Sequence, residues 1–198
     1  MANIEEPVSR IFVCGLDEMP DCVAELRPAR LISLLPPEEQ PPTPLQIASS
    51  DHLRLLIDDV DEPGAGANAP ARPHIETLVS FLRSSPPRSS ILIHCLAGVS
   101  RSPAAALIAM ALDAPGRERD VARLLRSAAP FVDPNPLMIK VADEVLERRG
   151  RLVAALASMG AADVTHGSAM VDLPRSLRGA AAQEAAGIDG RGRGRAGR

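Results

Sequence analysis

Residues 91–104, ILIHCLAGVSRSPA, constrain the fold of this 198-residue chain more than any other segment. The run up to His94 is short and apolar, which is typical of a strand in the middle of a covered parallel sheet. Pro103–Leu112 is apolar almost throughout and predicts a buried helix, since proline is tolerated in the first turn of a helix. The segment therefore requires a fold in which a buried strand leads directly into a buried helix.

The rest of the chain predicts alternating strands and helices. Further apolar runs predict strands over residues 10–14, 31–35 and 52–57. Apolar residues at helical spacing predict helices over 17–26, with an early break at Pro20, and over 75–82, 121–128, 137–145 and 152–159. Hydrophobic residues make up 45% of the chain, enough for a buried core. The fold class is therefore α/β, with a central, mostly parallel sheet flanked by helices and further helices toward the C-terminus.

Two long connections are rich in proline, glycine or aspartate. Residues 36–44 contain five prolines, and residues 58–73 are rich in Asp, Gly, Ala and Pro, so both are predicted to be loops. Long loops in compact domains are often functional. We expect both to border the pocket.

The C-terminal segment differs from the rest in composition. Periodicity fades after about residue 160, and residues 190–198 read GRGRGRAGR. We predict a domain over residues 1–160 and a low-complexity, disordered tail over 161–198. That tail carries six Arg and four acidic residues, so a weak contact with RNA or an acidic surface is the alternative. The net charge of −3 gives no general reason to expect nucleic acid.

The cysteines indicate a reducing compartment. Cys14, Cys22 and Cys95 are few and odd in number, which argues against a disulfide framework. The absence of a Cys-x-x-Cys pair and of paired histidines predicts no structural metal site. No long apolar run is present at the start, so we expect a cytoplasmic protein without a membrane partner. Cys14 and Cys22 are interpreted as packing residues, with a reversible disulfide to Cys95 as the alternative.

The connection between strand and helix predicts an anion-binding loop. Backbone N–H groups at the start of a helix lack intrahelical partners, and the helix dipole adds a positive field. Cys95 at the base of this loop has its thiolate favoured, which makes it a candidate nucleophile. Arg101 can hold two phosphate oxygens with its planar guanidinium. The loop residues predicted to contact phosphate are Leu96, Ala97, Gly98, Val99, Ser100 and Arg101.

His94-Cys95-x5-Arg101-Ser102 resembles the signature of the protein tyrosine phosphatase superfamily, in the form AGVSRSPA of its compact dual-specificity branch, here in a bacterial version. The resemblance implies catalysis through a cysteinyl-phosphate, with no metal or other cofactor. By the same resemblance Cys95 is the nucleophile, Arg101 binds phosphate and Ser102 assists release of the thiolate. His94 is expected to order the loop by hydrogen bonding. The partners implied are phosphorylated proteins or small phosphate monoesters.

The family also uses an aspartic acid upstream of the cysteine as general acid. Asp58, Asp59 and Asp61 follow the third predicted strand, and alignment of that strand with the family favours Asp59. The alternatives are Asp58, Asp61, or three solvated loop charges. Asn135 matches a Pro-Asn segment whose Asn supports the phosphate loop, and it is equally a candidate helix N-cap.

The chain departs from some relatives. Residues 96–100 contain no second basic residue, which favours phosphoprotein-like or aryl phosphates over inositol phosphates. The chain has no Trp or Tyr to sandwich a phosphotyrosine ring, so tyrosine specificity is not directly supported. A phosphate-binding module without catalysis is the main alternative. Another Cys-x5-Arg chemistry, such as that of a rhodanese, a Cdc25-like phosphatase or an arsenate reductase, is a weaker one. His52, His74 and His166 receive no role.

Overall fold

The fold is built on one five-stranded sheet. A computed structural model describes residues 9–86, 89–163, 165 and 170–177. Its strands are β1 (Arg10–Cys14), β2 (Arg30–Leu35), β3 (His52–Leu56), β4 (Ile91–His94) and β5 (Val171–Pro174), in the spatial order β3-β2-β4-β1-β5. The pairs β2–β3, β2–β4 and β1–β4 are parallel and β1–β5 is antiparallel. The predicted α/β fold with a mostly parallel sheet is confirmed.

Six helices cover the sheet in the described residues. They are α1 (Met19–Leu26), α2 (Arg72–Arg83), α3 (Arg101–Leu112), α4 (Glu118–Ala128), α5 (Pro136–Val145) and α6 (Arg151–Ala157). Two short 3₁₀ turns, Pro37–Glu39 and Ser49–Asp51, interrupt the connection between β2 and β3. Among the residues that the structure describes, no helix is long and apolar enough to cross a membrane.

The two faces of the sheet carry cores of different size, because side chains alternate along each strand. Ile11, Val13 and Ile32 point to the larger face, where helices α2 to α6 contribute most of the buried apolar side chains. Phe12 and Leu31 point to the smaller face, where α1 packs. The buried polar residues of β2 and β4 share this smaller face.

The helix boundaries correct two expectations about proline. Helix α1 contains Pro20 as its second residue, so this proline lies in the first turn and does not break the helix. Helix α3 begins at Arg101, two residues before Pro103. The amide of Ala104 is the donor that closes the first turn onto the Ser100 carbonyl, at 3.1 Å. An N–H at Pro103 would have no partner within the helix, so its absence costs no hydrogen bond.

Strand β5 lies inside the segment assigned to the low-complexity tail, so residues 171–174 correct that prediction. Leu173 is fully buried and pairs with Ile11 of β1, and Asp172 pairs with Phe12. The alternation V-D-L over a few residues is too short to stand out from its polar surroundings. The pairing with β1 provides the burial that makes it a strand. The Arg- and Gly-rich stretch at 190–198 lies outside the described residues, as does His166.

Candidate active site

The segment that follows β4 curls into a loop over residues 95–100 before α3 begins. Cys95 leaves the carboxyl end of β4 and its side chain is 2% exposed. Its Sγ lies 3.2 Å from Ser102 Oγ, on the first turn of α3. The hydroxyl is therefore placed to donate a hydrogen bond to the sulfur. Leu96 points outward and is half exposed at the rim.

Gly98 allows the loop to pack against the end of β1. Its φ is +74°, in the left-handed region that side-chain-bearing residues rarely adopt. A Cβ built on Gly98 would lie 2.8 Å from the Cys14 carbonyl carbon and 2.8 Å from the Gly15 nitrogen. Both the backbone conformation and the close approach therefore require glycine.

Backbone hydrogen bonds hold the loop from two sides. On one side the amide of Leu16 donates to the Leu96 carbonyl at 2.9 Å. On the other the amide of Asp133 donates to the Val99 carbonyl at 2.8 Å, and the amide of Asn135 to the Ser100 carbonyl at 3.2 Å. These bonds use the loop carbonyls, which turns them away from the loop interior. An anion-binding loop needs this arrangement because its amides must face inward.

Arg101 is the first residue of α3 and is almost completely buried. Its Nη1 donates to the Ile57 carbonyl at 3.1 Å. Its Nε lies 3.5 Å from Asp59 Oδ2 and makes no hydrogen bond within the described residues. A buried guanidinium with an unused N–H is energetically costly, by about 1–3 kcal/mol for such a donor. An unused donor of this kind is typical of a ligand-binding loop, because it is free to bind an anion.

Of the three aspartates considered for the acid, Asp59 is the one whose described contacts reach the phosphate loop. Ser100 Oγ donates to Asp59 Oδ1 at 2.6 Å, and Arg101 lies beside Oδ2. Asp58 instead closes its own loop, since its Oδ2 accepts the amide of Asn68 at 2.8 Å. The nearest described contact of Asp61 is Asn135 Nδ2, at 3.5 Å.

Asn135 caps a helix and also contacts the loop that carries Asp59. Its Oδ1 accepts the amide of Met138 at 2.9 Å, which is the N-cap of α5. Its Nδ2 donates to Asp59 Oδ1 at 3.0 Å and to the Val60 carbonyl at 3.1 Å. The side chain is fully buried. It therefore ties the loop that carries Asp59 to the segment that supports the phosphate loop.

His94 begins a line of buried polar side chains that the sequence analysis missed. Its Nε2 lies 2.6 Å from Ser33 Oγ, which in turn lies 2.7 Å from His52 Nε2. Burial lowers the pKa of His94 to about 4. Burial, together with the charge of Arg54, also lowers the pKa of His52 to about 4. Both rings are therefore neutral at neutral pH. The signal available in the sequence was a serine and a histidine inside otherwise apolar strands.

Cys14 and Cys22 lie on the smaller face of the sheet, in the same apolar cluster as Phe12 and Met19. Burial raises the pKa of Cys14 well above its usual range, with a further contribution from the neighbouring Cys22. Burial also raises the pKa of Cys22. Thiol exchange requires a thiolate, so protonated buried thiols favour the packing interpretation.

A mainly apolar groove with a volume of about 510 Å³ lies beside Leu16, which is hydrogen-bonded to the phosphate loop. Leu16, whose amide bonds to Leu96, lines one side together with Met19 and Pro20. The proline-rich loop supplies the other side through Pro41, Pro42 and Pro44. The proline-rich loop therefore borders this groove, and its position at the rim of the phosphate pocket stays a prediction.

Comparisons with known proteins bear on the fold. No family model matches the chain, and no curated protein matches it. Among solved structures, the dual-specificity phosphatase DUSP15 is 18% identical, with a TM-score of 0.55 over 78% of this chain and 92% of that one. The PTP-2 phosphatase of Cydia pomonella is 22% identical, with a TM-score of 0.53 over 68% and 84%. PTPMT1, in a complex with PI(5)P, is 17% identical, with a TM-score of 0.51 over 71% and 93%.

Because all three solved structures are less than 25% identical to this chain, the similarity concerns the fold alone. They give no support for a bacterial origin. The chain therefore has the α/β fold of the tyrosine and dual-specificity phosphatases.

Proposed function

We propose that this protein is a cysteine-dependent phosphatase that hydrolyses phosphate monoesters through a cysteinyl-phosphate intermediate. One observation supports this above the others. Asp59, from the loop after β3, lies beside Arg101 and Ser100 at the start of α3. A loop that only bound phosphate would gain nothing from a carboxylate at its rim, because a negative charge repels the anion.

In the first step the Cys95 thiolate attacks phosphorus and the bond from phosphorus to the leaving oxygen breaks. Asp59, in its protonated form, donates its proton to that oxygen. Arg101 and the loop amides bind the three equatorial oxygens, whose charge they stabilise in the transition state. The product is an alcohol or phenol and a phosphate group bound to sulfur.

In the second step water attacks the phosphorus of the cysteinyl-phosphate, and the Asp59 carboxylate accepts the proton of that water. The bond between phosphorus and sulfur breaks, and the thiolate of Cys95 is restored. Ser102 Oγ, 3.2 Å from Sγ, donates a hydrogen bond that stabilises the departing thiolate. Inorganic phosphate leaves the loop, and neither step uses a cofactor.

The surroundings of the loop favour a substrate with an apolar group next to the phosphate. Residues 96–100 carry no basic side chain that would hold a second phosphate. Leu96 at the rim and the adjoining groove are apolar. We infer that phosphotyrosine in proteins, or a related aryl phosphate, is the substrate class. Three free thiols among the described residues are in keeping with the reducing cytoplasm as its location.

Hydrolysis of p-nitrophenyl phosphate in the presence of chelator tests the proposal. We expect turnover in the wild type and in Cys22→Ser, and none in Cys95→Ser. Cys22→Ser is the matched control because it changes a second buried thiol outside the loop. Absence of turnover in freshly reduced wild-type protein, combined with binding of phosphate or tungstate, would replace this proposal with a phosphate-binding module. Turnover that survives in Cys95→Ser would exclude the cysteine mechanism.

A further inference from the structure

A line of hydrogen bonds runs from the protein surface to the backbone of Cys95. It passes through side chains from three neighbouring strands and from the proline-rich loop. The hydrogen bonds are Arg54 Nη2 to Thr43 Oγ1 (3.0 Å), Thr43 Oγ1 to His52 Nδ1 (2.9 Å), His52 Nε2 to Ser33 Oγ (2.7 Å), Ser33 Oγ to His94 Nε2 (2.6 Å) and His94 Nδ1 to the Cys95 carbonyl (3.4 Å).

The inner end of this line fixes where the proton of His94 lies. A carbonyl oxygen only accepts hydrogen bonds, so the Nδ1 that faces Cys95 must carry the hydrogen. A neutral imidazole has one N–H, so Nε2 of His94 is then an acceptor. Ser33 must donate its single hydroxyl proton to that nitrogen.

The outer end of the line is compatible with the same direction of hydrogen-bond donation. Arg54 only donates, so Thr43 Oγ1 accepts from it and has its own proton to give to Nδ1 of His52. Nε2 of His52 then carries the hydrogen and donates to Ser33, whose proton is already directed at His94. In this direction each hydroxyl proton and each ring nitrogen of the line has a partner, so the tautomer required at His94 is also the one that satisfies Thr43.

The opposite direction of hydrogen-bond donation along the line fits the observed contacts less well. It would place the proton of His94 on Nε2 and leave a bare Nδ1 facing the Cys95 carbonyl, so two lone pairs would meet at 3.4 Å. Thr43 would then accept from both Arg54 and His52 and lose the partner for its own proton. The loss at the fully buried His94 is costly, whereas the half-buried Thr43 can give its proton to water.

We propose that Ser33, His52 and Thr43 are positioning residues that hold His94 in its Nδ1–H tautomer and thereby orient the phosphate loop through the Cys95 carbonyl. This peptide lies at the point where β4 passes into the loop, so its orientation sets the amides that follow. The effect on Cys95 reactivity rests on the proposed function. The tautomers themselves do not depend on it.

The surroundings of the two rings support the proposal. Ser33, His52 and His94 are all buried, with His94 and Ser33 fully so. Ser33 is paired with His94 in the sheet, and His52 is paired with Leu31, two residues earlier on β2. All three side chains therefore project from one face, at a place where hydrogen bonds to water are not available. A partly satisfied network there would be worse than an apolar one.

Long-range proton–nitrogen correlation spectra of the histidine rings at neutral pH test the tautomers directly. We expect His94 as the Nδ1–H form and His52 as the Nε2–H form. His74 is the internal reference, because its Nδ1 accepts the amide of Ala71 at 3.1 Å and its hydrogen must be on Nε2. Finding His94 as the Nε2–H form would overturn the proposal.

Thr43 offers a variant pair that leaves the buried core intact, because it lies half-buried in a loop. Thr43→Val removes the hydroxyl at constant shape and should populate the other tautomers of both His52 and His94. The alkylation rate of Cys95 by iodoacetamide, followed on its peptide by mass spectrometry, should fall about two- to tenfold, the effect of one net hydrogen bond. Thr43→Ser should restore both readouts. Thr77→Val, which removes an exposed hydroxyl on α2, should change neither.

The outcomes separate this proposal from the proposed function. Predicted tautomers in a protein that shows no turnover would keep the hydrogen-bond line and remove the phosphatase assignment. Turnover combined with equal tautomers and equal alkylation in Thr43→Val and Thr43→Ser would keep the phosphatase and overturn the positioning role. Ser33→Ala gives a second measurement from the centre of the line, with the same expected direction.

Discussion

Asn135 Nδ2 lies 3.0 Å from Asp59 Oδ1, although the two residues are 76 positions apart in the chain. The other atom of the same amide, Oδ1, accepts the amide of Met138 and caps α5. One side chain thus connects the start of a helix with the loop that carries the proposed acid. Because the two contacts use different atoms, substitution can separate them.

Asn135→Asp should keep the cap and lose the contact with Asp59. Asp and Asn are equally good N-caps, so capping should contribute less than about 0.5 kcal/mol to the change in the free energy of unfolding. Burial of a second carboxylate beside Asp59 should destabilise the variant further. The new carboxylate would repel Asp59, and we expect kcat for an aryl phosphate to fall at least about tenfold. Asn135→Ala loses the cap, at a cost of about 1 kcal/mol, but places no charge beside Asp59. Urea unfolding and kcat measured together check this, and an unchanged kcat in Asn135→Asp would argue against the contact.

Asp59→Asn should remove the proton donor of the first step. General acid catalysis contributes about 10²- to 10⁴-fold, so kcat should fall within that range for substrates with poor leaving groups. The loss should be smaller for p-nitrophenyl phosphate, whose leaving group needs less protonation. Asp58→Asn is the matched control, because its remaining oxygen can still accept the amide of Asn68. An equal fall of kcat in both variants would contradict the assignment of Asp59 as the general acid.

Gly98→Ala should disrupt the phosphate loop, whereas Gly116→Ala should be milder. Both residues have a positive φ, +74° and +84°, so both variants carry the strain of the left-handed conformation, about 1–2 kcal/mol. Only Gly98 has backbone atoms within 3 Å of an added Cβ, while a Cβ at Gly116 meets nothing within 4 Å. We expect tungstate affinity by calorimetry to fall at least tenfold in Gly98→Ala, since the backbone must move. Comparable affinity in the two variants would contradict the packing role of Gly98.

Stability should fall as the solution is acidified below pH 6.5. His94 and His52 each have a pKa lowered to about 4 from 6.5, so the unfolded chain takes up their protons first. The contribution of each is complete above the unfolded pKa and is lost as the pH falls through the folded one. We expect roughly 2 to 3 kcal/mol per histidine between about pH 7.5 and about pH 4.5. His52→Gln should flatten the slope measured by urea unfolding, and an unaltered slope would show that His52 titrates normally.

Glu118 should add to this loss only at lower pH. Burial acts to raise its pKa, but backbone hydrogen bonds and Arg151 outweigh that effect and lower the pKa below 4.5. Measurements that stop at about pH 4.5 therefore report mainly on the histidines, including His74, whose pKa is also lowered by burial.

Leu173→Ala should destabilise the domain as a core substitution does. Leu173 is fully buried in β5, and Leu→Ala at such sites costs about 2–5 kcal/mol. Asp172→Ala is the control on the same strand. Its ion pair with Arg10 is partly exposed, and exposed pairs contribute at most about 1 kcal/mol. Thermal unfolding distinguishes the two, and an equally small effect of both would place residues 171–174 outside the cooperative unit.

The parts of the fold that the sequence predicted well are those in which local pattern and tertiary environment agree. The central strands are apolar because both faces of the sheet are covered, so Ile91–His94 could be recognised without a structure. The bond from Arg101 to Ile57, the residue after β3, could only be expected through resemblance, because it depends on how β3 and α3 meet in space.

The polar contacts inside the sheet could not be predicted, because they depend on register. Ser33 meets His94 since these residues are partners across β2 and β4, and a slip of one position would turn one of them to the other face. Strand β5 was missed for a similar reason. Val171 and Leu173 become buried only by pairing with Val13 and Ile11 of β1, which lie 158 and 162 positions earlier in the chain.

The antiparallel pairing of β1 with β5 has a consequence for synthesis on the ribosome. β1 emerges before the other strands described here, yet both of its neighbours, β4 and β5, are made much later. Until then its backbone N–H and C=O groups are available to other chains. We therefore expect the nascent chain to depend on holding chaperones until β5 is released. Premature termination before residue 171 should yield aggregates rather than a trimmed, folded domain.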